Sequence, residues 1–394
     1  MRGRPGTRVG LLLALFAAAL ALRPQLVGIG PLVPRIQDDL NVSHSVAGLL
    51  GTIPVLCMGL FAPPAPHLLR ALGTRRAIAL ALAGIAGFGV ARAVAPWTPA
   101  VIALTFGVGA GMGLAGALLP IAVKERFADR PGSATGAYAT GINLGSALSA
   151  ALAIPLANAL WGWRASLLVF SLATALLLVP WLSLSGGRGH VRPEVRPPRL
   201  PVHSRVAWAL VAIFALMATV FYGLNSWLPD AYVEHGWSEG SAGGLIALLN
   251  GVSVPAAVVV PWLSDRLGSR RAYLSAASGL LTISLLGAIL VRDGGWFWAA
   301  GMGIALGTQF PLVMTLPLDA AHRPAEVGAV AALMLGAGYS LGALSPLVLG
   351  AFRDLTGSFG TSLWLIVGAA SLLWAAVLPL SHERLRLAAE AHAA

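Results

Sequence analysis

A chain of 394 residues that is 57% hydrophobic and only 10% charged, with a mean hydropathy of +0.80, falls outside the soluble globular class, where roughly 25% of residues carry charge. A net charge of +11 would suggest nucleic acid as partner of a soluble protein. Here the basic residues sit in short loops between apolar runs, so the charge reports membrane topology and no nucleic-acid partner is expected. The single cysteine, Cys57, excludes an internal disulfide and gives no sign of a metal site.

A helix needs about 20 residues to cross the hydrocarbon core. Apolar runs of that order occupy Val9–Val33, Val46–Leu68, Ala77–Ala95, Ala100–Val123, Ala134–Leu156 and Ser166–Leu184. A stretch rich in Pro, Gly and Arg follows, and then Val206–Leu228, Ala242–Leu263, Ala272–Val291, Trp296–Leu318, Val327–Gly350 and Ser362–Leu380. The first run is too long for the core of a cleaved signal peptide and reads as a retained span. The expected fold is an all-α integral membrane protein with twelve transmembrane helices in two six-helix bundles. The expected boundaries are 1–184 for the first bundle, 185–205 for a linker and 206–394 for the second bundle with a short tail.

Of the 26 basic residues, 20 fall on one side of the twelve-span scheme, and that side also carries both termini and the linker. The opposite loops collect Asp38, Asp39, Asp230, Glu234, Glu239, Asp293 and Asp354. The bias places both termini and the linker in the cytoplasm, and the expected location is the cell inner membrane.

The two halves repeat. Leu68–Ala77 reads LLRALGTRRA, and Leu263–Ala272 reads LSDRLGSRRA, 195 residues on. The same offset pairs Pro34 with Pro229, Ser43 with Ser238, Ala47 with Ala242 and Gly48 with Gly243. A constant offset over so long a stretch marks a duplicated unit, the construction of transporters that bind their ligand between repeats.

Over nearly its whole length this arrangement resembles the major facilitator superfamily. The loop after the eighth span, with Asp265, Arg266, Gly268, Arg270 and Arg271, is similar to that superfamily's signature. The resemblance implies that this loop and its acid lock neighbouring helices in one conformational state. The first-half copy departs from the signature, with Arg70 where the acid would stand. Several segments resemble the cyanate and nitroimidazole transporter group within the superfamily: Leu22-Arg23-Pro24, Thr140–Gly145, Phe221–Pro229 and Gln309–Leu312.

Arg23 lies about fifteen residues into the first span, where a charge costs about 2.5–3.5 kcal/mol on insertion scales. No acid occurs at comparable depth in any span. An arginine without a carboxylate suits an anionic ligand, because its planar donor fork matches such groups. The competing role is to bond helix carbonyls or to reach the outer surface. At the 195 offset Arg23 maps to Ala218, so the charge belongs to one half only. Pro24 follows directly and makes the first span kinked or deformable beside the charge, which suits a gating element. Arg92, near Pro96 at the outer end of the third span, reads instead as a snorkelling side chain.

Other polar residues at mid-span depth are Asn143, Tyr222, Asn225, Asn250, Gln309 and Tyr339. Each is a candidate substrate-binding residue or an interhelical hydrogen bond. Trp227 reads as an interfacial anchor. Gly338–Gly342 matches the hydrolase nucleophile pattern, and Gly111–Gly116 the dinucleotide fingerprint, yet neither sits at a strand-to-helix turn. The glycine clusters in the fourth and tenth spans read as moving helix contacts. No phosphate-binding loop is present, so ATP-driven transport is not expected.

The expected function is a secondary transporter, not an enzyme, moving a small anion or compact polar solute by alternating access. Arg23 stands in the central site, no cofactor or metal is required, and the protein is a monomer in the lipid bilayer. The alternatives are a multidrug-type exporter of bulkier apolar compounds and a non-transporting membrane receptor.

Overall fold

The computed structural model describes residues 5–62, 64–127, 131–160, 162–185, 200–267, 270–320 and 324–379. Gly268 and most of the linker lie outside the described residues, as does the side chain of Asp265. Twelve spans are present: α1 (Val9–Leu40), α2 (His44–Phe61), α3 (His67–Val94), α4 (Thr98–Val123), α5 (Ala137–Ala159), α6 (Trp163–Leu184), α7 (Arg205–Glu234), α8 (Glu239–Val260), α9 (Arg270–Leu290), α10 (Gly295–Pro317), α11 (Glu326–Thr356) and α12 (Phe359–Val377). Outside the breaks in α1 and α11, backbone groups pair within each helix, the solution that a solvent without hydrogen-bond partners demands. Leu172, Leu176 and Val179 of α6, with Phe297 and Leu372, turn apolar surface outward, as lipid would require.

Three of these spans depart from a plain helix. α1 stops at Leu20 and restarts over Pro24–Val27; a 3-10 turn at Gly30–Leu32 and a last helix Val33–Leu40 complete it. Pro24 brings no N–H to the Leu20 carbonyl one turn back, which accounts for the break. The chain then continues as helix past Val33, where the apolar run ends, and carries Asp38 and Asp39 on its last turn at the protein's acidic end. α11 is interrupted at Ala343, where Pro346 withholds a donor from Gly342. α3 is kinked near its start, where Gly73 adopts φ 73° and ψ 160°, a region that only glycine enters without strain.

Within the first half α3 packs on α4 and α6, α2 on α4, and α1 on α5; the second half repeats the arrangement with α9, α10 and α12, α8 and α10, and α7 and α11. Across the halves α5 meets α8, α2 meets α11, and α1 meets α7. The first two contacts exchange under the two-fold that relates the halves, and the third maps onto itself.

The repeat is legible in single contacts. Ser166 Oγ donates to the Ala153 carbonyl as Ser362 Oγ donates to that of Leu349, both at 3.0 Å. Arg75 donates to the Leu182 carbonyl and Arg271 to that of Leu378, each at the end of a neighbouring helix, where cations complement the helix dipole. These equivalences run at 196, so Arg75 matches Arg271, where the sequence alignment paired it with Arg270. On α4, Gly109 and Gly113 approach α2 at Pro54 and Cys57; on α10, Gly303 and Gly307 approach α8 at Leu249 and Ser253. The glycine clusters are therefore close helix contacts.

In α1 the offset differs again. Gly145 of α5 presses on Leu20, and Gly342 of α11 on Ala218, so that Leu20 and Ala218 correspond at an offset of 198. By this measure Arg23 corresponds to Phe221 rather than Ala218, and neither is charged. By the end of the span the offset is back to 195: Asp39 accepts from Trp163, and Glu234 from the Phe359 amide. The first half thus holds three more residues in the stretch that contains the break.

Candidate functional site

The break in α1 leaves Arg23 as the residue that caps Pro24–Val27. Its side chain turns into the contact between the halves and is only 6% exposed. Nη1 donates to the Tyr222 hydroxyl of α7 at 3.3 Å. The hydroxyls of Tyr339 on α11 and Tyr138 on α5 are its other electrostatic neighbours. Among the described residues no carboxylate pairs with Arg23. Among the described residues it bonds no helix carbonyl, and its burial keeps it from the outer surface.

Aromatic packing holds the phenols in place. Tyr222 lies edge-on to Phe221 with centroids 5.2 Å apart and 6.4 Å from Tyr339; Phe214 meets Tyr339 edge-on at 4.8 Å. The Tyr222 hydroxyl also faces Met58 Sδ of α2 at 3.9 Å. Four helices, two from each half, therefore converge on one guanidinium, and its phenol partners can each turn a lone pair or an O–H toward a guest.

The other sequence candidates go elsewhere. Asn225 and Asn250 bond each other, Nδ2 of Asn250 to Oδ1 of Asn225 at 2.9 Å, and tie α7 to α8. Gln309 is fully buried and donates to Ser278 Oγ of α9 at 3.0 Å, inside the second half and apart from Arg23. Asn143 is half-buried on α5, five residues beyond Tyr138. Of the gating candidates, Pro24 sits at the break, Arg271 clamps the end of α12, and Arg266 and Arg270 also have interaction partners. Tyr138 went unrecognised in the sequence. The available signal was scarcity: the chain has 5 tyrosines, and three of them meet at Arg23.

Two readings of the sequence are corrected. Arg92 does not snorkel; it is wholly buried and bonds Gln25 of α1 and Thr105 of α4. Trp227 is not an interfacial anchor; it is 1% exposed, donates to the Pro346 carbonyl at 2.7 Å and packs at a tilt against the rings of His44 and Phe359. Both lie where helices cross tightly, so their amphipathic ends find protein partners before they reach the membrane surface.

Two repeated helix bundles that meet around a buried polar locus define a polytopic membrane transporter. The Major Facilitator Superfamily profile matches residues 9–346, and the chain belongs to that family of secondary transporters. It is 30% identical over 353 residues to the cyanate transport protein CynX of Escherichia coli K12, covering 89% of this chain and 91% of that one. It is 28% identical over 386 residues to the 2-nitroimidazole transporter of the same organism, covering 93% and 94%. In fold it is similar to a solved D-xylose–proton symporter, with a TM-score of 0.76 at 16% identity and coverage of 94% and 97%.

Proposed function

We propose that this transporter carries a small anion or compact polar solute, cyanate-like or nitroimidazole-like, across the cell inner membrane by alternating access, and that Arg23 is its docking group. One observation carries the reading: the Arg23 guanidinium is buried at the junction of the halves among phenol hydroxyls, with no acid beside it among the described residues. A buried cation that lacks a carboxylate gains most from an anion that brings the missing charge. The relatives named for cyanate and 2-nitroimidazole support a solute of that size and polarity. The multidrug-type alternative predicts a large apolar cavity in which Arg23 is already paired. The proposed topology puts both termini and the 185–205 linker in the cytoplasm, with bundles over 1–184 and 206–394, in a monomer.

The test is thermal melting of the purified protein with sodium cyanate and with 2-nitroimidazole, for wild type and Arg23→Ala. Saturating ligand at about 100 times its dissociation constant stabilises by about 2.7 kcal/mol, and Arg23→Ala should lose that shift. Equal shifts in both proteins would remove Arg23 from the site. Uptake into vesicles at several pH values and imposed voltages identifies the coupling.

A further inference from the structure

A second buried arginine lies behind the first. Arg92 of α3 is 0% exposed and has no ion pair among the described residues. Its Nη2 donates to Gln25 Oε1 at 2.5 Å and to the Gln25 carbonyl at 3.2 Å, and its Nη1 to Thr105 Oγ1 at 3.3 Å. Gln25, equally buried, donates from Nε2 to Ser171 Oγ at 2.7 Å and to the Leu167 carbonyl at 3.3 Å on α6. Gly89, one turn before Arg92, makes room: a Cβ there would come within 2.6 Å of Ser171 Oγ.

This cluster is fastened to the break in α1. In an unbroken helix the Gln25 carbonyl would accept from the Ile29 amide, but here that amide turns to Leu26. The orphaned carbonyl is one of the two Gln25 atoms that Arg92 holds. Arg23 and Gln25 flank Pro24, and residues two apart on a helix do not share a face. One side chain therefore enters the centre and the other the bundle interior. In the second half, where α7 runs unbroken, the contact equivalences place Ala288 opposite Arg92, Ala299 opposite Thr105 and Val367 opposite Ser171, all buried and apolar. The polar cluster occurs where the helix is broken, and its counterpart is absent where the helix is whole.

We propose that Arg92 is a positioning residue: with Gln25 it straps the broken segment of α1 to the first bundle and fixes the direction in which Arg23 points. The proposal rests on Arg23 as the docking group. The guanidinium fork is required because a single lysine ammonium cannot reach Oε1, the Gln25 carbonyl and Thr105 together.

The test compares hydrogen–deuterium exchange and cyanate uptake in the full chain. Arg92→Lys should speed amide exchange across residues 18–30 by about tenfold, the scale of one lost charge-assisted hydrogen bond, with little change in the other helices. The same variant should raise the KM for cyanate by about tenfold while Vmax moves far less. Ser171→Ala, a gentler change that loosens Gln25 alone, should move both readouts in the same direction if Arg92→Lys does not fold. Ser362→Ala removes a buried bond of the same kind from the second half and should leave residues 18–30 unaffected. Unchanged exchange there in both first-half variants, or an equal rise throughout the protein, overturns the strap. Faster exchange with an unchanged cyanate KM overturns the positioning role. Exchange needs no ligand, so the strap can succeed or fail independently of Arg23; a cyanate KM untouched by Arg23→Ala would instead sink the docking assignment.

Discussion

Arg23 gains its meaning from what surrounds it. A guanidinium carries five donors, and here its neighbours are phenols, each of which exchanges one hydrogen bond for another at little cost. Removing the hydroxyl in Tyr222→Phe deletes a bond worth about 0.5–1.5 kcal/mol. The KM for cyanate should therefore rise between about twofold and tenfold, read from initial uptake rates. Arg23→Lys keeps the charge without the fork and should bind cyanate more weakly than wild type and better than Arg23→Ala. Gln309 provides the contrast. Its Nε2 is engaged by Ser278 and its Oε1 has no hydrogen-bond partner among the described residues, so Gln309→Leu should leave the cyanate KM unchanged. A raised KM in that variant would show that Gln309 reaches the substrate after all.

At the scale of elements, α1 is held by close approaches on two sides. Gly141 and Gly145 of α5 press on Phe16 and Leu20 before the break, and after it Gly30 abuts α7 so closely that a Cβ would overlap the Asn225 carbonyl oxygen. That oxygen is backbone and cannot swing aside. Gly30→Ala must separate α1 from α7, and overpacking of this kind costs about 1–3 kcal/mol. A melting temperature lowered by a few degrees, with uptake lost more severely than stability, is the expected outcome. Wild-type melting and uptake in Gly30→Ala would mean that the approach is looser than the structure describes.

At the scale of the molecule, the acidic end is where the halves are visibly tied. Arg35 of α1 reaches Glu239 of α8 through Nε at 2.8 Å, and His44 of α2 meets Asp354 of α11 at 2.9 Å. Ser45 also donates to Asp354. Opening this end to pass solute must break both links. Such partly exposed pairs are worth at most about 1 kcal/mol each, so Glu239→Gln with Asp354→Asn should favour the opened arrangement by up to about 30-fold. Pro31 and Gly243 supply the probe, since a Cβ on Gly243 would lie 3.3 Å from that of Pro31, near the separation a disulfide spans. Pro31→Cys with Gly243→Cys, in a Cys57→Ser background, should cross-link on oxidation and halt uptake until reduced. Adding the two charge-removing substitutions should slow the cross-link. Undiminished uptake by the oxidised protein would mean that this end need not open.

The amino-acid sequence alone determined the twelve spans, the duplication, the side that gathers arginine and the presence of a stranded charge at Arg23. All four are local properties: a bilayer sets the length and apolarity of each span separately, and a break at Pro24 follows from one missing donor. Which side chains meet across helices was decided only by the tertiary structure. It brought Tyr138 of α5 to Arg23, turned Gln309 toward Ser278, and buried Arg92 and Trp227 where composition placed them at the surface. Those outcomes depend on how each helix is rotated about its axis and how closely its glycines let a neighbour approach. A span apolar on every face carries almost no record of that rotation.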